Sequence, residues 1–78
     1  MALKDLIATI AEALVDDPDS VEVEEVDEDG GVTVELRVAP DDIGKVIGKD
    51  GRTAQSMRAL LNAAAAKQGC RAHLDILD

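Results

Sequence analysis

The stretch "IGKVIGKDGRT", Ile43–Thr53, decides how this chain is read. Gly44, Gly48 and Gly51 fall close together, with Lys45, Lys49 and Arg52 between and beside them. Glycines at both ends of Gly48-Lys49-Asp50-Gly51 let the backbone turn sharply and approach a ligand with no Cβ in the way. Two nucleotide motifs fail here. The phosphate loop G-x-x-x-x-G-K-[ST] needs four residues between its glycines and a hydroxyl after the lysine. This chain has three residues between Gly44 and Gly48, and Asp50 after Lys49. The dinucleotide fingerprint needs glycine where Val46 stands, and a strand just before it. What fits is a short helix, G-x-x-G, and a second helix. The second helix begins at the loop, so its unpaired amides and dipole face any phosphate placed there. Lys49 and Arg52 supply cations, Lys45 lies one turn earlier, and Arg58 lies on the following helix.

Working outward, Pro40 closes the preceding segment, and Asp41 or Asp42 is placed to cap a short helix over Ile43–Ile47. Beyond the loop, a longer helix is expected from Arg52 to Lys67, with Ala54, Met57, Leu61 and Ala64 or Ala65 facing inward. Gln68-Gly69 is its stop signal. "RAHLDIL" then reads as a strand with Ala72, Leu74 and Ile76 on one face. At the other end, Leu3, Leu6, Ile7, Ile10, Ala11 and Leu14 share one face of a first helix that stops near Asp16–Pro18. "VEVEEV" and "VTVELRV" alternate as strands around the turn signal "DEDGG", and Thr33, Glu35 and Arg37 form a polar face. The order is α-β-β-α-α-β. Two helices between the last strands suit a right-handed crossover and parallel pairing. The expected fold is an α+β two-layer domain over residues 1–78, a mixed three-stranded sheet with helices on one face.

Of the 78 residues, 46% are hydrophobic and none is Phe, Trp or Tyr. The core must come from aliphatic residues and Met, which bury less area each. A lone Cys70 cannot make an internal disulfide, and a lone His73 cannot complete a zinc site. By elimination, extra stabilisation of so small a core points to association. Asp5 and Glu12 break up the apolar residues of the N-terminus, which is no secretory signal. No run approaches the roughly 20 apolar residues of a membrane span. A reducing cytoplasm is the simplest setting. Carboxylates are plentiful, but on exposed strand and turn positions, and Cys70 has no base arranged around it. Neither an enzyme nor a cofactor is expected.

The formal net charge of −9 argues against a nucleic-acid partner until it is divided. Residues 1–42 hold 14 acids and two bases, a net of −12; residues 43–78 hold three acids and six bases, a net of +3. Three of those six bases, Lys45, Lys49 and Arg52, crowd the loop.

At this point the residues resemble a family. "IGKVIGKDGRTAQSMRALL" is similar to the signature of the KH RNA-binding domain, whose G-x-x-G loop clamps about four nucleotides. The element order is that of the bacterial, type II arrangement, over essentially the whole chain. A chain of this size that opens at Met1 and holds one such domain resembles the small bacterial KhpA family, and is expected to be the whole protein. The resemblance matches Gly48 and Gly51 to the loop glycines, and Lys49 and Asp50 to the variable pair. It matches Ile43, Gly44 and Ile47 to the preceding helix, and Arg52, Thr53 and Arg58 to the following one. With Lys45, these are the expected contacts to single-stranded RNA. The resemblance implies a cytoplasmic RNA chaperone or post-transcriptional regulator linked to cell-envelope growth and division. It also implies pairing with a second KH-containing protein; the Ala63–Ala66 run suits a homodimer.

Two residues depart from the family pattern. Asp50 puts an acid in the clamp, and Ala54 is smaller than the bulky aliphatic many KH domains carry there. Both imply modest affinity and low sequence specificity. Plainer readings stand beside these. Lys45 and Arg58 can be a solvated helix face, Lys67 and Arg71 solubilising charges, and the acidic run Asp16–Asp29 a solvated surface. The alternative function is a protein-interaction module with a vestigial RNA site, docking a basic partner on its acidic surface.

Overall fold

The computed structural model describes residues 2–77. Its elements are α1 (Leu3–Leu14), β1 (Glu22–Glu28), β2 (Gly31–Arg37), α2 (Ile43–Ile47), α3 (Arg52–Lys67) and β3 (Arg71–Ile76). Three single 3-10 turns, Pro18–Ser20, Pro40–Asp42 and Lys49–Gly51, join them. The order α-β-β-α-α-β is the one the sequence predicts.

The sheet runs β1-β2-β3. β1 and β2 form an antiparallel hairpin with Glu28 opposite Gly31, leaving Asp29-Gly30 as the turn. β2 and β3 pair in parallel across the two-helix connection, with Val34 opposite Leu74. The hydrophobic alternation places Val34 and Leu36 wholly out of solvent, with Ala72 and Leu74 beside them on the same face. Ile7 and Ala11 of α1, Val46 of α2, and Met57, Leu61 and Ala65 of α3 close over that face. Fully burying a side chain of the size of Leu36 or Ile7 stabilises by about 2 kcal/mol, so this aliphatic cluster is the main source of stability. The other face stays open to solvent.

Local signals explain the ends of the elements. α3 stops in a Schellman arrangement, the Cys70 amide donating to Ala65 O (3.0 Å) and the Gly69 amide to Ala66 O (3.1 Å). α1 has no side-chain cap of its own. Instead Glu25 of β1 accepts a hydrogen bond from the Lys4 amide (2.8 Å), which sets a carboxylate against the positive end of the helix. The predicted stripe of α1 is narrower than its spacing suggests. Leu3, Ile7 and Ala11 are buried, but Leu14 is exposed, and Val15, the first residue past the helix, takes the core place at that end.

Candidate nucleic-acid interface

α2 is only five residues long, and Val46, fully buried, is what fastens it to the core. Ile43 and Ile47 are half-buried on either side of that anchor, while Gly44 and Lys45 face solvent. The Gly48 amide donates to Gly44 O (2.9 Å) and closes the helix; the Gly51 amide then donates to Gly48 O (3.1 Å) and closes the loop.

Gly48 has φ 77° and ψ 174°, a region that is essentially glycine-only. Space forbids a side chain there as well. A Cβ on Gly48 would overlap Thr53 Oγ1 and lie 2.6 Å from Thr53 Cβ. Thr53 therefore packs its side chain into the place a side chain at position 48 would fill, and so sets the spacing between the loop and the first turn of α3. Asp50 (φ 57°) and Gly51 (φ 75°) are both left-handed, a conformation that Asp tolerates better than most residues. Gly51 stands at the N-cap of α3 and brings no side-chain acceptor to its amides. Lys49, Asp50 and Arg52 are exposed at this turn, and Arg58 is exposed farther along α3. Ala54, which follows Thr53 in the first turn of α3, is buried.

Gly44 differs from Gly48. It is helical, a Cβ there would meet nothing within 4 Å, and glycine within a helix costs up to about 1 kcal/mol relative to alanine. Nothing in the fold requires a glycine at this position.

Asp42 corrects one expectation. It occupies the N-cap place of α2 but makes no capping hydrogen bond. The residue is 3% exposed. Its Oδ2 accepts from the Asp17 amide (3.1 Å), and its Oδ1 lies 3.6 Å from Lys45 Nζ. Lys45 Nζ is also 3.2 Å from Asp16 Oδ2. Hydrogen bonding and charge from Asp16, then the charge of Asp42, raise the Lys45 pKa above its ordinary value. The i,i+3 spacing of Asp42 and Lys45 is a signal that sequence reading passed over. The pairing with Asp16 has no local signal at all.

Among the described residues, no group of three or more His, Cys, Asp or Glu side chains is placed to hold a metal ion. Likewise, no helix is long and apolar enough to cross a membrane.

Residues 4–76 match the family model described as KhpA/KhpB, KH domain. The RNA-binding protein KhpA of Halalkalibacterium halodurans is 54% identical over 76 residues, 97% of this chain and 100% of that protein. The protein of the same name from Caldanaerobacter subterraneus is 52% identical over 94% of this chain and 97% of its own length. That of Aquifex aeolicus is 47% identical over 99% of this chain and 98% of its own length. Among solved structures, a crystal structure of Aquifex aeolicus Era superposes with a TM-score of 0.67 at 17% identity. The match covers 95% of this chain and 29% of that one, a likeness of fold alone.

Proposed function

The chain belongs to the KhpA/KhpB KH-domain family, and on that premise we propose that it binds single-stranded RNA through the Gly48–Gly51 loop. The observation that carries this is the loop's shape. A glycine-only conformation at Gly48, braced by Thr53, delivers the chain to an uncapped α3 N-terminus flanked by exposed Lys49 and Arg52. Loop amides, helix dipole and two flexible cations suit the sugar-phosphate backbone, which is the same for every sequence. Ile43, Gly44 and Ile47 form the apolar side on which bases would lie. Lys45, Thr53 and Arg58 complete the contact set. Asp50 keeps the grip modest by repelling phosphate.

Reversing one charge at Lys49 tests this. Lys49→Asp should weaken binding of a labelled oligouridine by roughly tenfold to a hundredfold, since hydrogen bonds to charged groups lie in that range. Circular dichroism should stay native, and wild-type binding should weaken steadily with salt as phosphate contacts release counterions. Undiminished affinity in a folded variant would sink the assignment.

On the family resemblance, the wider role is that of a cytoplasmic RNA chaperone or post-transcriptional regulator of low sequence specificity, tied to envelope growth and division. Pairing, with itself or with a second KH-containing protein, belongs to the same reading. It is supported by an apolar groove of about 210 Å³ that Ala2, Leu3, Leu6 and Ala64 line, and by Leu60, 53% exposed on α3. Sedimentation across a concentration series tests it.

One observation favours a second reading. Glu24, Glu35 and Asp75 stand side by side across the three strands, a carboxylate row suited to a basic protein partner. Crosslinking in cells separates the two readings, because a vestigial loop would recover no RNA.

A further inference from the structure

The loop's neighbouring base, Lys45, is already occupied. With 17 acids and eight bases in the chain, Lys45 is the one base held in an ion pair among the described residues. Lys49, Arg52 and Arg58 have no such partner among those residues.

The pair is built by the fold and not a chance meeting of surface side chains. Val15, 9% exposed, anchors the chain in the core. The Asp17 amide is tied to buried Asp42, and Ser20 Oγ donates to Asp17 Oδ2 (2.6 Å). Asp16 lies between two fixed points and is thereby presented to Lys45. The two carboxylates are unequal. The Asp42 side chain is 4% exposed and held by a backbone amide, whereas that of Asp16 is 82% exposed. An exposed ion pair is weak and easily exchanged. Lys45, itself 42% exposed, can keep Asp42 and trade Asp16 for another anion.

Resting on the RNA-site reading above, we propose that Asp16 is an intramolecular competitor for phosphate at Lys45. It stands where a backbone phosphate would pair with that lysine and so sets how tightly and how long RNA is held. A lysine is charged near neutral pH whichever anion it holds, so one anion exchanges for another and no proton is involved.

The test measures oligouridine affinity across a salt series for wild type, Asp16→Asn, Lys45→Met, the double variant, Asp19→Asn and Lys49→Asp. Asp16→Asn removes one charge from an exposed side chain, and a thermal melt checks that it folds. It should bind about two- to fivefold tighter than wild type, the range set by releasing one exposed pair. Its log–log salt slope should stay close to that of wild type, because the same phosphate contact forms in both and only the competing carboxylate is gone. Asp19→Asn, which neutralises an acid that has no contact with Lys45, should gain less. In the Lys45→Met background the gain from Asp16→Asn should shrink to that of Asp19→Asn. The proposal is overturned if Asp16→Asn binds no tighter than Asp19→Asn, or if its gain survives the loss of Lys45. Lost binding in Lys49→Asp shows that such a failure concerns Asp16 alone, whereas wild-type binding in Lys49→Asp overturns the RNA site and this proposal together.

Discussion

The open face of the sheet and the α2–α3 edge treat charge in opposite ways. Across the sheet, Glu35 of β2 lies in register between Glu24 of β1 and Asp75 of β3, with no cation among the described residues paired to any of the three. Like charges directly opposite one another are destabilising, so this row works against the fold and persists because the aliphatic core behind it is sufficient. At the edge, Lys49 and Arg52 stand exposed with no ion-pair partner among the described residues, and Lys45 is shared by two carboxylates. Among the described residues Lys45 is the one base in an ion pair, and even Arg37, directly opposite Glu22 on the open face, is in none. Electrostatics therefore does little to hold this chain together. Its separation suits an anionic ligand confined to one edge and repelled from the rest of the surface.

The largest break in that contrast comes from the edge's backbone. Gly48→Ala forces a side chain into a glycine-only conformation and against Thr53. The expected loss is about 1–3 kcal/mol of stability, with RNA affinity falling alongside it. Adding Thr53→Ala removes the overlap but not the backbone strain, so the double variant should recover only part of the loss in a thermal melt. Full recovery would mean that crowding alone decides position 48. No substitution on the open sheet face is expected to cost as much.

Gly44→Ala sharpens the comparison in the opposite direction. The fold has room for the methyl group and helix propensity favours it, so stability should rise, by up to about 1 kcal/mol. In the proposed RNA site the methyl would stand where a nucleotide lies, so RNA affinity should nevertheless fall. A more stable variant with unchanged affinity would remove Gly44 from the contact surface.

These contrasts also divide what was legible in the sequence from what was not. Periodicity and stop signals predicted α3 from Arg52 to Lys67, because each depends on neighbours a few residues apart. The glycine pair was legible for the same reason. The parallel pairing of β2 with β3 followed instead from the two-helix crossover between them. Asp41 or Asp42 was expected to cap α2, and Asp42, which stands at the N-cap place, has another task. A capping residue and a buried tie to Asp17 look alike until the chain folds back over 25 residues. Asp16 was read as part of a solvated acidic run, since nothing near it in sequence points to Lys45. Thr53 was placed in the second helix, but its role as the brace for Gly48 depends on the loop's turn. Leu14 satisfied the helical spacing and still reached solvent, because α1 ends there and Val15 fills the core.

The smallest expected effect tests the sheet side. Glu35→Gln takes the middle charge from the row of three and leaves the side chain's length and shape almost unchanged. Relief of two like-charge neighbours should stabilise by a few tenths to about 1 kcal/mol, measured by denaturant titration at low salt. The gain should shrink as added salt screens the row. RNA affinity should change far less than in Asp16→Asn, although both variants remove one negative charge. That difference is the point of the pair. If the two raise affinity equally, net charge alone governs RNA binding and the arrangement around Lys45 adds nothing. If only Asp16→Asn does so, the carboxylate's place beside the loop is what matters, and the acidic sheet acts as a boundary without entering the contact.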